Sequence, residues 1–590
     1  MSNNAPSSTT PVHGDAAISD PVRVEVFNQR LLAITEEMGA QLVRASFSPN
    51  IKERRDCSVA LFDSQGQVIA QAAHIPIHLG SLIGGARALL ARHPVHEMRP
   101  GDAFICNDAY LAGGTHLPDI SVLTPVFVDD RVRFLVGCVG HHADVGGVVP
   151  GSITPDAASI FEEGVRIPPV RIAREDHLDH NVLDLIVCNT REPEDRVLDL
   201  EVQLATNRSG VDKLRELVTR EGLDQTEAAI ADLLRYTRRR LASGIQALPD
   251  GDYHGASYMD DDGTGGDQVP IQTHIRIRGE SMQLDFSGTG AQSRGAFNVM
   301  PSGVLATVAY AVKALVDPDL PPNSGLFDGL ELRVPAGSIL NPHYPAAVGA
   351  RTTTCQKLAG AIFAAFAELL PESRTMAGSH DVLAAMVFSG AHQRRAGTYV
   401  YLETVGGGIG ARGSTDGMDA AHVHITNSLN MPAEAVELEY PLRVDEYALI
   451  PDSGGAGRYR GGLGIARQVR ILENDTTFSG RADGFKTAGA GVQGGLPPGP
   501  CRVVRNHGTN QAQILDPKQR LLRLSAGESI RMETPGGAGL GEPAMRSAKA
   551  LALDLLEEKV SLERALADYG ETLVHAAQEH IELLRHAEQP

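Results

Sequence analysis

The sequence predicts a multidomain α+β protein with mixed and antiparallel sheets and flanking helices. The chain has 590 residues, about four times the length of a common domain, so more than one hydrophobic core is expected. Helical and strand periodicities occupy separate stretches of the chain, which is typical of the α+β class. Tryptophan is absent and only 5% of residues are aromatic, so the cores must be built mainly from aliphatic side chains.

The first structured region is predicted over residues 20–248, after a disordered tail at residues 1–19. Asp20 is a plausible N-cap, and apolar residues follow it at helical spacing through about Val43, which predicts a long amphipathic helix. Short apolar runs such as CSVALFD, AFICND and RVRFLVGCVG then predict strands. Helical periodicity returns over residues 193–246 and closes this region.

Three more regions are predicted along the chain. A central α+β region over 249–436 begins with alternating strand patterns joined by Gly and Asp turns and continues into two Ala-rich helices. A β-rich, glycine-dense region follows over 437–545, and residues 546–590 return to helical periodicity. The segment Gly408–Gly413 satisfies GxGxxG, but no βαβ unit follows it, so we interpret it as a structural loop and not as a nucleotide site.

Charge and cysteine usage narrow the function classes. The chain carries 53 Lys and Arg against 73 Asp and Glu, a net charge of −20, which disfavours nucleic acid and anionic membranes as partners. No run of 18 uncharged apolar residues predicts a membrane span. The six cysteines form no CxxC pair, which suits reduced thiols and predicts a cytoplasmic protein.

The densest group of metal-competent side chains lies between residues 56 and 144. His116 and Asp119, in GGTHLPD, follow one predicted strand, and the neighbouring glycines and proline favour a tight turn over a helix. His141, His142 and Asp144 follow the end of a later strand. In such turns imidazoles and carboxylates can converge on one cation.

Asp56, at the start of another predicted strand, adds a third strand end to this group. Mixed His and Asp ligands without thiolate suit Mn, Fe or Zn in a catalytic site. The alternative for each residue alone is that it only caps a turn. His74 and His78, four apart around a proline, are interpreted as packing within the sheet. Glu162 and Glu163 could supply a general base, or could simply be solvated.

Motifs along most of the chain resemble one known family. The motifs are NIKERRDCSVALFD, HIPIHLGSL, GTHLPDISVLTPVF, HHADVGG, FEEGVRIPP, DFSGTGAQSRGAFNV, NMPAEAVELEYPLRV, PDSGGAGRYRGGLG, ETPGGAGLGEP and VSLERALADYG. In this order they resemble the hydantoinase B/oxoprolinase family from about residue 22 to 570. Ala109 stands where the family pattern NDPY has proline, which is expected to loosen the loop ahead of His116. Ile409 stands where the pattern GGGWGA has tryptophan.

The resemblance implies specific residue roles. It places the ligands of a divalent metal (Mn, Fe or Zn) at Asp56, His116, Asp119 and His141. It also makes Glu163, His142 and Asp144 candidates for catalytic roles beside the metal.

The resemblance further implies an ATP-dependent cyclic-amide hydrolase acting on a lactam, hydantoin or 5-oxoproline. Metal-activated water would attack a ring amide that a hydantoinase A-type ATPase partner has phosphorylated, with ATP used by that partner. Two copies of each chain are expected, with glycine-rich stretches such as 454–464 at the interface. The alternatives are a subunit of an acetone or acetophenone carboxylase and a non-catalytic scaffold whose His and Asp clusters only fasten loops.

Overall fold

The computed structural model describes residues 20–392 and 397–587 and confirms the multidomain α+β class. Within these described ranges, strands form four sheets, of seven, four, four and five strands, flanked by helices. The predicted tail at 1–19 lies outside the described residues. Within the described ranges, no helix is long and apolar enough to cross a bilayer.

The first sheet and its helices occupy the N-terminal region. Their bounds are α1 (Pro21–Ala45), α2 (Pro49–Lys52), β1 (Cys57–Asp63), β2 (Val68–Gln71), α3 (His78–Arg92), β3 (Ala103–Cys106), β4 (Asp119–Val128), β5 (Arg131–His141), β6 (Val170–Arg174), β7 (His177–Leu178), α4 (His180–Val187), α5 (Pro193–Glu221) and α6 (Leu223–Gln246). The predicted N-cap is confirmed, since Asp20 Oδ1 accepts hydrogen bonds from the backbone N–H groups of Val22 and Arg23.

The seven strands are antiparallel throughout, in the order β2-β1-β5-β4-β3-β6-β7. Helices α1 and α5 cover one face of this sheet and α3 covers the other, so apolar side chains fill both faces. This explains why β1, β4 and β5 have nearly continuous apolar sequences. In the strand register, Asp119 lies opposite His141 and Cys57 lies opposite Gly140. The start of β1, the end of β5 and the start of β4 therefore lie side by side at one end of these three neighbouring strands.

The second sheet lies in the central region and packs against two Ala-rich helices. Its order is β11-β10-β9-β8, and only the β10–β11 pair is parallel. Helix α8 packs on β8 and β9, and α7 packs on α8. The bounds are β8 (Gly251–Met259), β9 (Val269–Arg278), β10 (Ser281–Asp285), α7 (Pro301–Val316), β11 (Leu330–Arg333) and α8 (Arg351–Leu369).

The third and fourth sheets share one apolar core. Their orders are β13-β12-β16-β19 and β14-β15-β20-β17-β18. The bounds are β12 (Ala384–Ala391), β13 (Thr398–Val405), α9 (Ala433–Glu439), β14 (Leu442–Leu449), β15 (Ile465–Ile471), β16 (Thr476–Arg481), β17 (Arg502–Arg505), β18 (Gln513–Ile514), β19 (Leu522–Leu524) and β20 (Ser529–Glu533). Because β12 pairs with β16, the third sheet crosses the boundary predicted at residue 436.

Glycine-rich segments pack against one another beside these sheets. We call the segments 406–413, 453–464, 489–497 and 535–541 the glycine bundle. Their backbones bond directly, with Gly455 N–H donating to Gly537 O at 2.8 Å and Gly537 N–H donating to Gly462 O at 2.9 Å. A Cβ on Gly461 would lie 1.8 Å from Gly537 O. The segment 408–413 is therefore structural, and the prediction that 454–464 is an interface loop is wrong because most of it is buried inside this chain.

The chain ends in three helices that pack together next to the glycine bundle. Their bounds are α10 (Ala548–Leu556), α11 (Leu562–Tyr569) and α12 (Glu571–Ala587). Buried Ala456 belongs to the same apolar cluster as these helices, with Leu496 packed against it, so the bundle and the C-terminal helices share a core.

Candidate metal centre

Three predicted ligands come together at the end of the sheet where β1 and β4 begin and β5 ends. His116, Asp119 and His141 are buried, and one donor atom from each lies within 4.8 Å of the other two. The closest pair is His116 Nε2 and Asp119 Oδ1 at 2.9 Å. Asp119 and His141 meet because they are partners in the β4–β5 register, and the turn before β4 brings His116 back over them. Three buried N and O donors at this spacing fit a divalent cation.

Two further residues lie beside this trio. His78 Nε2 lies 3.5 Å from Asp56 Oδ1 and 3.5 Å from Asp119 Oδ1. The interpretation that His78 packs within the sheet is wrong, because it begins α3 and its ring reaches the strand ends. His74, by contrast, packs over Gly39 of α1, outside the cluster. The signal for His78 in the sequence was its helix-start position after a proline, 22 residues beyond Asp56.

The cluster faces a narrow cavity. Asp56, His78, His116 and His141 form its polar side. The rest of the wall is mixed, with five apolar side chains, several hydroxyl groups and two arginines. These residues are Ile75, Ile77, Ile153, Leu383, Leu402, Thr352, Thr353, Thr404, Thr426, Ser428, Arg351 and Arg481. A small organic molecule with both apolar and polar parts suits such a wall.

The electrostatic environment sets the protonation that a metal requires. Burial lowers the pKa of His141 to about 3, and burial together with Arg351 lowers the pKa of His116. Burial opposes ionisation of Asp119, but His116 and Arg351 outweigh it and hold its pKa well below the ordinary value. Likewise His141 and Arg54 outweigh burial at Asp56 and lower its pKa. Neutral imidazoles and ionised carboxylates are the forms that bind metal ions.

Hydrogen bonds from distant segments fix the trio. His116 Nδ1 lies 3.0 Å from Gly349 O, and Asp119 Oδ2 accepts from Arg351 Nη2 at 2.7 Å and from Thr115 Oγ1 at 2.9 Å. His141 is held through its carbonyl oxygen, which accepts from Asn50 Nδ2 at 2.6 Å. Such partners orient metal-binding side chains and set the imidazole tautomer.

Glu163 supports the backbone segment that holds His116, and it does not line the cavity. Its Oε1 accepts from Gly349 N–H at 2.6 Å and from Val348 N–H at 2.9 Å, and Gly349 in turn contacts His116. Burial raises the pKa of Glu163 to about 8. The neighbouring Glu162 accepts from the backbone of residues 158 and 159. Glu163 therefore helps to position His116 through Gly349.

His142 and Asp144 lie apart from the trio. His142 directly follows the end of β5. Its Nε2 lies 3.0 Å from Gln203 Oε1 of α5. Asp144 organises the following loop, accepting from the backbone N–H groups of Gly146 and Gly151 and from Arg191 Nη1 at 2.8 Å. Of these neighbouring histidines, His141 lines the cavity, whereas His142, which follows the end of β5, contacts α5.

The loop that precedes His116 is well held despite Ala109. Asp108 accepts from the backbone N–H groups of Tyr110 and Leu111 and from Arg166 Nε at 2.7 Å. Asn107 Nδ2 donates to Leu117 O at 2.7 Å. These bonds hold the loop in place, and the effect of Ala109 on its mobility stays a prediction. Ile409 lies in the glycine bundle and does not line the cavity.

The sequence of this chain matches a known family and several known proteins. The model of the hydantoinase B/oxoprolinase family matches residues 20–543, and the chain belongs to that family. It is 36% identical to an uncharacterized protein of Methanocaldococcus jannaschii, covering 93% of this chain and 96% of that one. It is 31% identical to a putative D-/L-hydantoinase subunit of Pseudomonas sp., covering 95% and 97%.

Other matches include a longer protein and two solved structures. A 5-oxoprolinase of Dictyostelium discoideum is 32% identical over 89% of this chain, which spans only 40% of that protein. The crystal structure of ATP-dependent caprolactamase from Pseudomonas jessenii matches with a TM-score of 0.88 and 29% identity, over 95% of this chain and 99% of that chain. Nucleotide-free acetone carboxylase matches with a TM-score of 0.86 and 20% identity, over 97% and 84%, which shows the shared fold alone.

Proposed function

We propose that this chain is the metal-bearing subunit of an ATP-dependent enzyme that hydrolyses a cyclic amide. The observation that carries the proposal is the buried trio of His116, Asp119 and His141 next to a cavity with a mixed apolar and polar wall. The relatives named as a hydantoinase subunit and a caprolactamase support a ring amide as the bond that is cleaved.

The metal-binding set is proposed to be Asp56, His116, Asp119 and His141, with His78 beside it. A bound divalent cation supplies Lewis-acid polarisation of an oxygen and lowers the pKa of water. The protein contributes neutral imidazoles, ionised carboxylates and a site that largely excludes bulk water. Ile75, Ile153 and Leu402 offer apolar contact to the methylene groups of a ring.

The proposal includes an ATPase partner of the hydantoinase A type, with two copies of each chain. An unstrained amide resists hydrolysis, so phosphorylation of its oxygen on the partner would activate it for hydrolysis in this cavity. His78 and Asp56, both on the cavity wall, are placed to hold or accept a proton from the water that attacks. Mn, Fe and Zn all accept such a donor set.

The test uses the reconstituted pair with ATP, a five- to seven-membered lactam or hydantoin, ¹⁸O-labelled water and no bicarbonate. The expected result is ATP-dependent ring opening with one label in the new carboxylate. Strict dependence on bicarbonate, with acetone or an aryl ketone as the substrate, would overturn the hydrolase and favour the carboxylase. Turnover that survives removal of the metal would favour the scaffold.

A further inference from the structure

One residue of the cavity wall, Arg481, is not explained by the metal cluster. It is the last residue of β16, its backbone pairs with Ala385 of β12, and only 6% of the residue is exposed. Its side chain lines the same cavity as His116 and His141. Its Nη1 is buried and has no hydrogen-bond partner in the described part of the chain. A buried guanidinium without a partner is unusual and costly.

The other two buried arginines near the cluster each have a carboxylate partner, although Arg54 Nε makes no hydrogen bond. Arg351 donates to Asp119 and Thr115, and Arg54 lies 3.7 Å from Asp56 and donates to Thr404. Arg481, in contrast, has no carboxylate within ion-pair distance among residues 20–392 and 397–587. The acidic group two positions away is Asp483, whose Oδ1 lies 3.9 Å from Lys518 Nζ and accepts from the backbone of residue 260.

The surroundings of Arg481 favour an anion. Burial, followed by the nearby charges of Arg351 and Arg54, lowers the pKa of Arg481 to about 9. An anion between these groups would relieve that repulsion. The first turn of α8, a helix of 19 residues, also lines the cavity through Arg351, Thr352 and Thr353. The positive end of a helix adds to the attraction for negative charge.

We propose that Arg481, together with the first turn of α8, binds an oxyanion of the substrate and so holds the ring against the metal cluster. The shared chemistry is a phosphoryl group on the activated amide or a carboxylate carried by the ring. This inference deepens the proposed function and rests on it for the identity of the ring. Arg481 is a binding residue, and it sets which substrates fit by requiring a negative group.

The test is calorimetric titration of the metal-loaded full-length chain with inorganic phosphate and, separately, with acetate. In Arg481→Met, phosphate or acetate binding is expected to weaken about 10- to 100-fold, the range for a hydrogen bond to a charged group, while metal content stays at the wild-type level. Arg481→Lys should retain part of the affinity. Arg523→Met, an exposed position of β19 in the same sheet, is the matched control and should bind as the wild type does.

Comparison of the two anions identifies the source. A loss confined to phosphate indicates the phosphoryl group, and a loss confined to acetate indicates a ring carboxylate. Unchanged affinity for both anions in folded Arg481→Met would overturn the proposal.

Thermal unfolding separates binding from a structural role. Removal of a buried charge without a partner should raise the unfolding temperature of Arg481→Met by a few degrees, whereas a structural arginine would lower it on removal. If the reconstituted, metal-loaded pair opens no cyclic amide but this chain still binds phosphate through Arg481, the proposed function is refuted and anion binding by Arg481 still stands.

Discussion

The cluster of His116, Asp119 and His141 and the glycine bundle are both buried, and both join distant parts of the chain. Side-chain contacts hold the first together, and backbone contacts hold the second. In the cluster, side chains make the contacts, as where Arg351 Nη2 donates to Asp119 Oδ2 at 2.7 Å. In the bundle, the backbones touch because side chains are missing, and a Cβ on Gly461 would lie 1.8 Å from Gly537 O. The cluster should therefore respond to a change in side-chain chemistry, and the bundle to the addition of any side chain.

The largest effect on the cluster is expected from His116→Ala. Removal of one of three close donors should reduce bound metal to background and ring-opening activity by at least about 10²- to 10³-fold. Elemental analysis and single-substrate kinetics of the reconstituted pair measure both. His74→Ala, a nearby half-buried histidine outside the cluster, is the control and should keep its metal. Full metal retention in His116→Ala would disprove the ligand assignment.

The bundle should respond to one added methyl group. Gly461→Ala is expected to lower the free energy of unfolding by about 3 kcal/mol, because the backbone of residue 537 leaves no room for a Cβ. Gly499→Ala is the control. The Cβ of residue 499 would lie 3.3 Å from Ser453 Cα, so this substitution should lower the free energy of unfolding by under about 1 kcal/mol. Urea denaturation compares the two. Equal costs would show that close backbone contact does not stabilise the bundle.

A smaller effect tests the role of Glu163. If Glu163 only positions Gly349 and thereby His116, Glu163→Leu, which removes the oxygen that accepts from Gly349 N–H, should weaken metal affinity about 10- to 100-fold, as loss of an orienting partner does. A general base would behave differently, with metal affinity unchanged and turnover abolished. Competition with a chromogenic chelator measures the affinity. Glu162→Gln, which affects only local backbone contacts, should leave it unchanged.

The smallest effect concerns a bond between the two halves of the chain. Arg54 Nη2 donates to Thr404 Oγ1 at 2.7 Å. Thr404→Val removes this acceptor from a buried arginine and should lower the free energy of unfolding by about 1 to 2 kcal/mol. Thr404→Ser keeps the hydroxyl group and should cost less. If Thr404→Ser costs more than Thr404→Val, methyl packing and not the hydrogen bond stabilises this contact.

The sequence was most informative where the structure is local. Helix α1, its Asp20 cap and the strand ends that carry His116, Asp119 and His141 follow from patterns within short windows. Register then brings these ends together, which adjacent antiparallel strands do without further information.

Other parts of the centre could not be predicted in this way. His78 lies on a helix whose position over the sheet depends on tertiary packing. Gly349 and Arg351 contact the trio from more than 200 residues away in sequence. The pair Glu162 and Glu163 looks symmetric in sequence, and only burial distinguishes the carboxylate that supports Gly349 from the one that caps a turn.

The long-range contacts of the cluster also determine when it can form during synthesis. All four proposed ligands, with the partners Thr115 and Asn50, are present once residue 141 has been made, but Gly349 and Arg351, which hold His116 and Asp119, and Thr404, which holds Arg54, emerge from the ribosome much later. A nascent chain that stops at residue 248 would carry every ligand and none of these later restraints. The proposed metal site is therefore complete only after the second half of the chain has folded against the first.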